Sequence, residues 1–316
     1  MMELPPCFYC AGRSYRPLFK NVQDRLGVVS GRWEFWRCQF CRSATLFPQP
    51  DPKELVSFYP PAYDSSLLSH WEYRFFFQPQ HKAQARRILR GTSPWNHPDR
   101  SLLDVGCGTG LRLLAFRQLG FKVHGVDFRP ETVETLQKQL GIPAVCTDVV
   151  ELSQHFPPAS FDVITAFHLL EHVPDVYGTL ENCFQLLKPN RWIVCVVPLV
   201  DSLQAGLFKS RWTGASEAPR HLSLPSRQGV RKILYKVGFD KVVIHPNSLL
   251  DCLGVFVLSL LPSVGRRHFD QRSWFQMALQ SAMATGIGLL AVPWCISENY
   301  LFRRPAVGMV FARKPE

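Results

Sequence analysis

The chain has 316 residues, 46% of them hydrophobic, which suffices for one large domain with a smaller appendage and excludes a globally disordered chain. Its 36 basic against 25 acidic residues give a formal net charge of +11. That balance suits a soluble basic enzyme or anionic partners such as nucleic acid, anionic lipid or phosphorylated substrates, and the excess is spread along the chain rather than held in one run.

The opening MMELPPCFYC shows no basic stretch followed by an apolar one, so no secretory signal is expected and a reducing, cytoplasmic setting is. The ten cysteines are then expected as thiols or metal ligands, not disulfides. Cys7 and Cys10 form one C-x-x-C, and Cys38 and Cys41 form a second. Between them lies a strand-like span with Val28, Val29, Trp33, Phe35 and Trp36. Two knuckles in tandem can place four thiolates tetrahedrally around Zn²⁺, so a zinc-ribbon-like module with a structural zinc is expected over residues 1–50. A segment this short cannot bury enough apolar surface to fold alone, and metal ligation would supply the missing free energy. Arg13, Arg16, Lys20, Arg25, Arg32, Arg37 and Arg42 make the module basic, which suits an RNA clamp as well as a brace for its neighbour.

Proline-rich sequence from Pro48 to Pro61 reads as a boundary. Residues 51–97 are expected to be a linker with N-terminal helices, helical near Gln80–Leu89 and closing in the loop GTSPWNHPDR. The core is expected over 98–316. Leu102–Val105 reads as a buried strand, followed by a tight turn with Gly106, Gly108 and Gly110 and by a helix, LRLLAFRQLG, closed at Gly120. Glycines allow the backbone to approach a ligand closely, and the helix N-terminus favours an anionic group. The next strand, FKVHGVD, ends in Asp127, an acidic residue about 20 positions beyond the turn and suited to ribose hydroxyls.

The spacing D-x-G-x-G-x-G, with Asp104 two positions before the first glycine, resembles the class I S-adenosylmethionine-dependent methyltransferases. Further segments match that family in order. Pro130 opens a helix ending at Gly141, Ala144–Cys146 is a third strand, and FDVITAFHLLEHVPD supplies the fourth strand and the segment beside the donor methyl. LKPNRWIVCVVP looks like a lysine-proline turn and fifth strand, PRHLSLPSRQGVRKILYKVGF a late helix, FDKVVIHP a sixth strand and AVGMVFARK the antiparallel last strand. The resemblance covers about Ser101 to His245 and returns at Ala306–Lys314. It implies an α/β fold: a doubly wound, Rossmann-like, seven-stranded sheet. It also implies that Asp104, Gly106, Gly108 and Gly110 cradle the methionine part of S-adenosylmethionine, and that Asp127 binds the ribose and Phe128 flanks the adenine. Asp148 and Val149 would contact the adenine edge, with His168 and Leu169 as the floor beneath the sulfonium.

His168, Glu171 and His172 spell H-x-x-E-H, an inverted zinc-protease pattern. That chemistry needs both histidines on one helical face, and here the motif directly follows a buried strand, so a protease is not expected. Methyl transfer draws much of its acceleration from holding the nucleophile in line, and a general base helps where the acceptor is a hydroxyl or an acidic C–H. His172 is the first choice for that base and His221 the second, against a positioning role for either. Glu171 is expected to orient a neighbour. No N/D-P-P-Y/F follows the fourth strand, which disfavours amino-group methylation.

Residues 248–304 exceed the minimal fold and form an apolar helical insertion before the last strand. LLDCLGVFVLSLLP is too short to cross a bilayer; MALQSAMATGIGLLAVPWCI approaches the required ~20 residues but carries polar residues and Pro293. Arg266, Arg267 and Arg272 bridge them. The pair is expected either to cap the active site or to contact a membrane surface peripherally. A ribbon joined to this core looks like bacterial methyltransferases of envelope glycans, lipids and secondary metabolites, and the E-H-V-P segment resembles quinone-pathway enzymes. The expected activity is O- or C-methylation of a small-molecule, glycan or lipid-linked acceptor. An RNA methyltransferase and a non-catalytic S-adenosylmethionine-binding scaffold are the alternatives.

Overall fold

A computed structural model describes residues 4–51, 53–59, 78–92, 99–262 and 274–316. The bridging arginines 266, 267 and 272, most of the loop after Gly91 and the segment from Pro60 to Phe77 lie outside them.

The first strands are β1 (Tyr15–Val22), β2 (Trp33–Cys38) and β3 (Ala44–Phe47). Helix α1 (Gln78–Gly91) covers the helical stretch expected near 80–89. The core then alternates: β4 (Ser101–Val105), α2 (Leu111–Gln118), β5 (Lys122–Asp127), α3 (Pro130–Leu140), β6 (Ala144–Cys146), β7 (Phe161–Phe167), α4 (Val176–Leu186) and β8 (Leu187–Pro198). A short helix α5 (Leu203–Phe208) and a two-residue strand β9 (Ser223–Leu224) precede α6 (Arg227–Val237) and β10 (Lys241–Pro246). The insertion is α7 (Leu249–Leu260) and α8 (Trp274–Ile296), and β11 (Val307–Arg313) ends the fold.

Seven strands form one sheet in the order β10-β11-β8-β7-β4-β5-β6. The five from β8 to β6 run parallel, whereas β11 is antiparallel to both β8 and β10. All seven residues of β7 are buried, the pattern of a central parallel strand covered on both faces. Local chemistry sets the helix ends. Pro130 opens α3, where its missing N–H costs nothing, and Gly141 closes it at φ 57°. Ser226 caps α6 by accepting from the Gly229 N–H. This is the expected doubly wound sheet with its antiparallel last strand.

The N-terminal sheet differs from a self-contained ribbon. Its order is β1-β2-β3-β9, all antiparallel, so the fourth strand comes from the core. Phe19, Phe35 and Leu46 share one apolar cluster with Val200, Trp212 and Leu224. The tie is polar too: Ser226 Oγ donates to the Cys41 carbonyl at 2.5 Å, and Tyr9 Oη lies 3.3 Å from Ser223 Oγ. A two-residue strand carries no visible alternation, which is why the sequence shows no fourth strand.

Candidate functional site

The carboxyl ends of β4, β5, β6 and β7 open onto a cavity of about 200 Å³. Ligands in open α/β sheets sit in this place, outside the strand ends. Gly106, Asp127, Phe128, Thr147, Asp148 and Val149 form one wall. Leu169, Val173 and Pro174 adjoin it, and Leu55, Val56 and Tyr59, with His172 bonded to Tyr59, close the opposite side.

The glycine turn is held open by its backbone. Gly106 and Gly108 adopt φ of 70° and 50°, the left-handed region that a side chain disfavours. A Cβ on Gly106 would lie 2.9 Å from Leu169 Cδ1, while Gly108 faces open space. Gly110 stands at the N-terminus of α2 rather than on the cavity wall. Asp127 is 4% exposed. Its carboxylate accepts from the Gly108 N–H at 3.0 Å and the Arg129 N–H at 3.1 Å, so β5 and the turn share one anchor. Burial pushes its pKa up against those hydrogen bonds. Asp104 lies beneath the wall rather than on it. Thr165 Oγ1 donates to it at 2.6 Å, and burial raises its pKa to about 6.

Phe128 stays exposed at the cavity edge, meeting the Tyr59 ring edge-on at 5.7 Å. Asp148 accepts from the Val150 N–H and starts the turn carrying Val149. Of the expected floor pair, Leu169 lines the cavity. His168 does not; it sits at φ 52° with Nδ1 3.3 Å from Glu171 Oε1.

The H-x-x-E-H residues form a turn after β7, not a helix, which removes the geometry a protease motif requires. His172 reaches the cavity, with Nδ1 2.8 Å from Tyr59 Oη and 3.1 Å from the Arg220 carbonyl oxygen. Burial, then the neighbouring His221, lower its pKa to about 3, so the imidazole is neutral near pH 7. His221 is buried behind it, the two rings 4.6 Å apart, with Nδ1 2.6 Å from the Gly214 carbonyl oxygen. Glu171 is fully buried, and its carboxylate lies within 4.8 Å of donor nitrogens on both histidines. Burial alone would raise its pKa; His168, His172 and His221 together hold it below the ordinary value.

Sequence reasoning missed what stands behind this wall. Arg220 is fully buried and ion-pairs with Asp24 of the N-terminal module and with Glu217, which also meets Arg25. Arg220 Nη1 also donates to the Phe58 carbonyl at 3.4 Å, next to Tyr59. Burial would raise the Glu217 pKa, but Arg25 and Arg220 hold it at about 2. No spacing in the sequence marks Tyr59 or Arg220, because their partners lie far away along the chain.

The four cysteines expected to hold zinc do converge. Cys7 and Cys41 sulfurs are 3.5 Å apart, as are those of Cys10 and Cys38, and all four lie within 4.8 Å of one another. Tetrahedral zinc with Zn–S of about 2.3 Å requires sulfurs ~3.8 Å apart, so the set fits that ion.

A family model described as a methyltransferase domain matches residues 70–244. The chain is 33% identical over 153 residues to a ubiquinone biosynthesis O-methyltransferase of Paracidovorax citrulli, covering 45% of this chain and 60% of that one. To the protein of the same name from Idiomarina loihiensis it is 35% identical over 159 residues, covering 47% and 61%. The chain thus spans about three fifths of the length of the curated relatives it matches. Among solved structures, the phosphoethanolamine N-methyltransferase 2 of Haemonchus contortus in complex with S-adenosylmethionine superposes with a TM-score of 0.54 at 18% identity. That match covers 96% of this chain and 69% of the other, and it shows a shared fold.

Proposed function

This chain belongs to the methyltransferase-domain family, and from that membership we propose that it transfers the methyl group of S-adenosylmethionine to a hydroxyl of a small-molecule acceptor. The observation that carries this reading is one cavity with a nucleotide-type wall, Gly106–Asp127–Asp148, facing a neutral histidine, His172. Oxygen is favoured as the acceptor atom because the curated relatives are O-methyltransferases by name.

The residues fit the cofactor. The open backbone at Gly106 and Gly108 would take its methionine part, and the Asp127 carboxylate its ribose hydroxyls. Phe128, Asp148 and Val149 would hold the adenine, with Leu169 beneath the reacting centre. When bound, S-adenosylmethionine supplies a methyl group activated by its sulfonium. The chain itself must orient the acceptor and remove its proton. The Arg220 carbonyl can only accept, so the His172 tautomer that satisfies it carries its proton on Nδ1 and leaves Nε2 as the basic atom. In that form His172 can take the acceptor's proton as the new C–O bond forms and the hydroxyl becomes strongly acidic, a step open even to a base of lowered pKa. His221 supports it through the ring contact and is a positioning residue rather than the base. The four cysteines would hold one zinc ion with a structural role, since four thiolates leave no open coordination position.

Two measurements test this reading. Calorimetry should show binding of S-adenosylhomocysteine and none of a nicotinamide dinucleotide; the reverse sinks it. Methyl-labelled S-adenosylmethionine incubated with the chain and a cell extract should label a small molecule as an ether. Label confined to the RNA fraction would overturn the choice of acceptor.

A further inference from the structure

Among the described residues, α7 and α8 of the insertion contribute none to the cavity lining. What it does present is apolar surface. The segment Ala278–Leu301 is predominantly apolar, and little of it is buried. Leu289 and Leu290 are 69% and 84% exposed, and Leu301 and Phe302 are exposed as well. One face of α8 is covered where Ala291 and Cys295 are buried, but apolar surface this large left exposed on the rest needs a partner.

The hairpin is fixed to the core, so this face is presented rather than loosely dangling. Buried Glu298 accepts from the Gln204 backbone N–H at 2.9 Å and side-chain amide at 2.8 Å. At the other end Asp251 accepts from Gln80 at 3.0 Å and from the Asn247 amide at 2.6 Å. The two helices meet closely where Gly288 faces Val257. Both carboxylates of the described hairpin are thus tied inward.

The charges that remain outward are basic and sit at both ends. Arg211 is exposed beside the end of α7, where it donates to the Leu260 carbonyl, and Arg303 and Arg304 are exposed just beyond α8. The sequence between the helices adds Arg266, Arg267 and Arg272 against Asp270 alone. Trp294 and Tyr300, both exposed, have the amphipathic rings that settle at a lipid–water boundary.

By length α8 alone, 23 residues and about 35 Å, could cross a hydrocarbon core of about 30 Å, but the 12 residues of α7 reach only about 18 Å, so the two helices do not make a matched spanning pair. Both outer ends of the hairpin return to the same sheet, at β10 and β11. Crossing would also drag the arginines between the helices through hydrocarbon.

We infer that the outward face of the α7–α8 hairpin docks on the surface of an anionic lipid bilayer, with its apolar side chains in one leaflet and its arginines at the phosphates. This inference is independent of the methyl-transfer reading, because it concerns residues away from the cavity.

Flotation of the full chain with phosphatidylcholine vesicles, with and without a phosphatidylglycerol fraction, tests it. The chain should float with the anionic vesicles, less at high salt, and poorly with neutral ones. The double variant Leu289→Glu, Leu290→Glu should lose about tenfold or more in vesicle affinity, since each leucine leaves the leaflet. Both positions are exposed, so its melting temperature and S-adenosylhomocysteine affinity should match the parent. Arg303→Glu should weaken anionic binding without affecting either control. Absence of flotation on anionic vesicles overturns the inference. So does sedimentation showing a dimer that the double variant dissolves, because a second copy would then cover the face.

Discussion

One wall of the cavity comes from a single run of chain, Gly106 to Val149; the other gathers Leu55–Tyr59 and His172, with Asp24 and Arg220 behind them. The first is built from strand ends and a glycine turn whose shape is decided within a few residues. The second is held by contacts between segments more than a hundred positions apart, such as Tyr59 with His172 and Asp24 with Arg220. A wall of the first kind survives as long as the sheet does. A wall of the second kind depends on the N-terminal module, and so on whatever holds that module together.

The largest effect should therefore come from the metal. The purified chain is expected to carry about one zinc per chain on Cys7, Cys10, Cys38 and Cys41. Chelation should expose the amides of β1–β3 to hydrogen exchange, and those of residues 220–226 with them, because β9 and Ser226 are bonded to the module. The amides of β4 and β5 should stay protected. Uniform loss of protection would show that the two walls are not separable, and a module that stays folded in chelator would remove zinc from its support.

Next in size is the buried ion cluster. Arg220→Met strands Asp24 without its cation and leaves Glu217 with Arg25 alone, and should cost about 3–5 kcal/mol in denaturant unfolding. Its pH dependence identifies the cause. The Glu217 carboxyl is held at about 2 in the folded chain against an ordinary 4.5. Its stabilising contribution is thus complete above about 4.5 and lost as the pH falls toward 2. In Arg220→Met that acid loss should shrink. An unchanged acid limb would place the cost in packing rather than charge.

Asp127→Ala acts on the local wall. It should leave the Leu55–Tyr59 segment and the histidines in place while weakening S-adenosylhomocysteine binding by roughly 1.5–3 kcal/mol, the value of hydrogen bonds to a charged carboxylate. A loss matched by an equal fall in stability would mean that the Gly108 and Arg129 anchors, not the ribose, are what the carboxylate serves.

This division explains what can be foreseen from the residues. Asp104, the glycines and Asp127 lie within 24 positions, at spacings imposed by a strand, a turn and a helix, so their convergence is legible in one sequence. The buried runs of β4 and β7 and the capped ends of α3 are legible for the same reason. Asp24 and Arg220 look like two more surface charges, and only the fold buries them together. Tyr59 sits in proline-rich sequence that reads as a boundary. His168 is expected on the floor, but the chain turns there with positive φ and sends its ring to Glu171 instead. Backbone direction at a turn has no periodic signature.

The smallest expected effect probes a hydroxyl that joins the two walls, that of Tyr59. Tyr59 offers its ring edge to Phe128 on the local wall and its Oη to His172 on the assembled one. Tyr59→Phe keeps the first contact and removes the second. It should cost about 0.5–1.5 kcal/mol of stability, the net value of one hydrogen bond, and leave S-adenosylhomocysteine affinity unchanged. Tyr59→Ala should in addition weaken the cofactor, since the ring that closes over Phe128 is gone. The imidazole ¹⁵N shifts of His172 separate the two roles. In Tyr59→Phe they should move, because Nδ1 keeps only the Arg220 carbonyl as a partner. Unmoved shifts, or a cofactor loss in Tyr59→Phe equal to that in Tyr59→Ala, would mean that the hydroxyl serves the cofactor wall and that His172 is held by Arg220 alone.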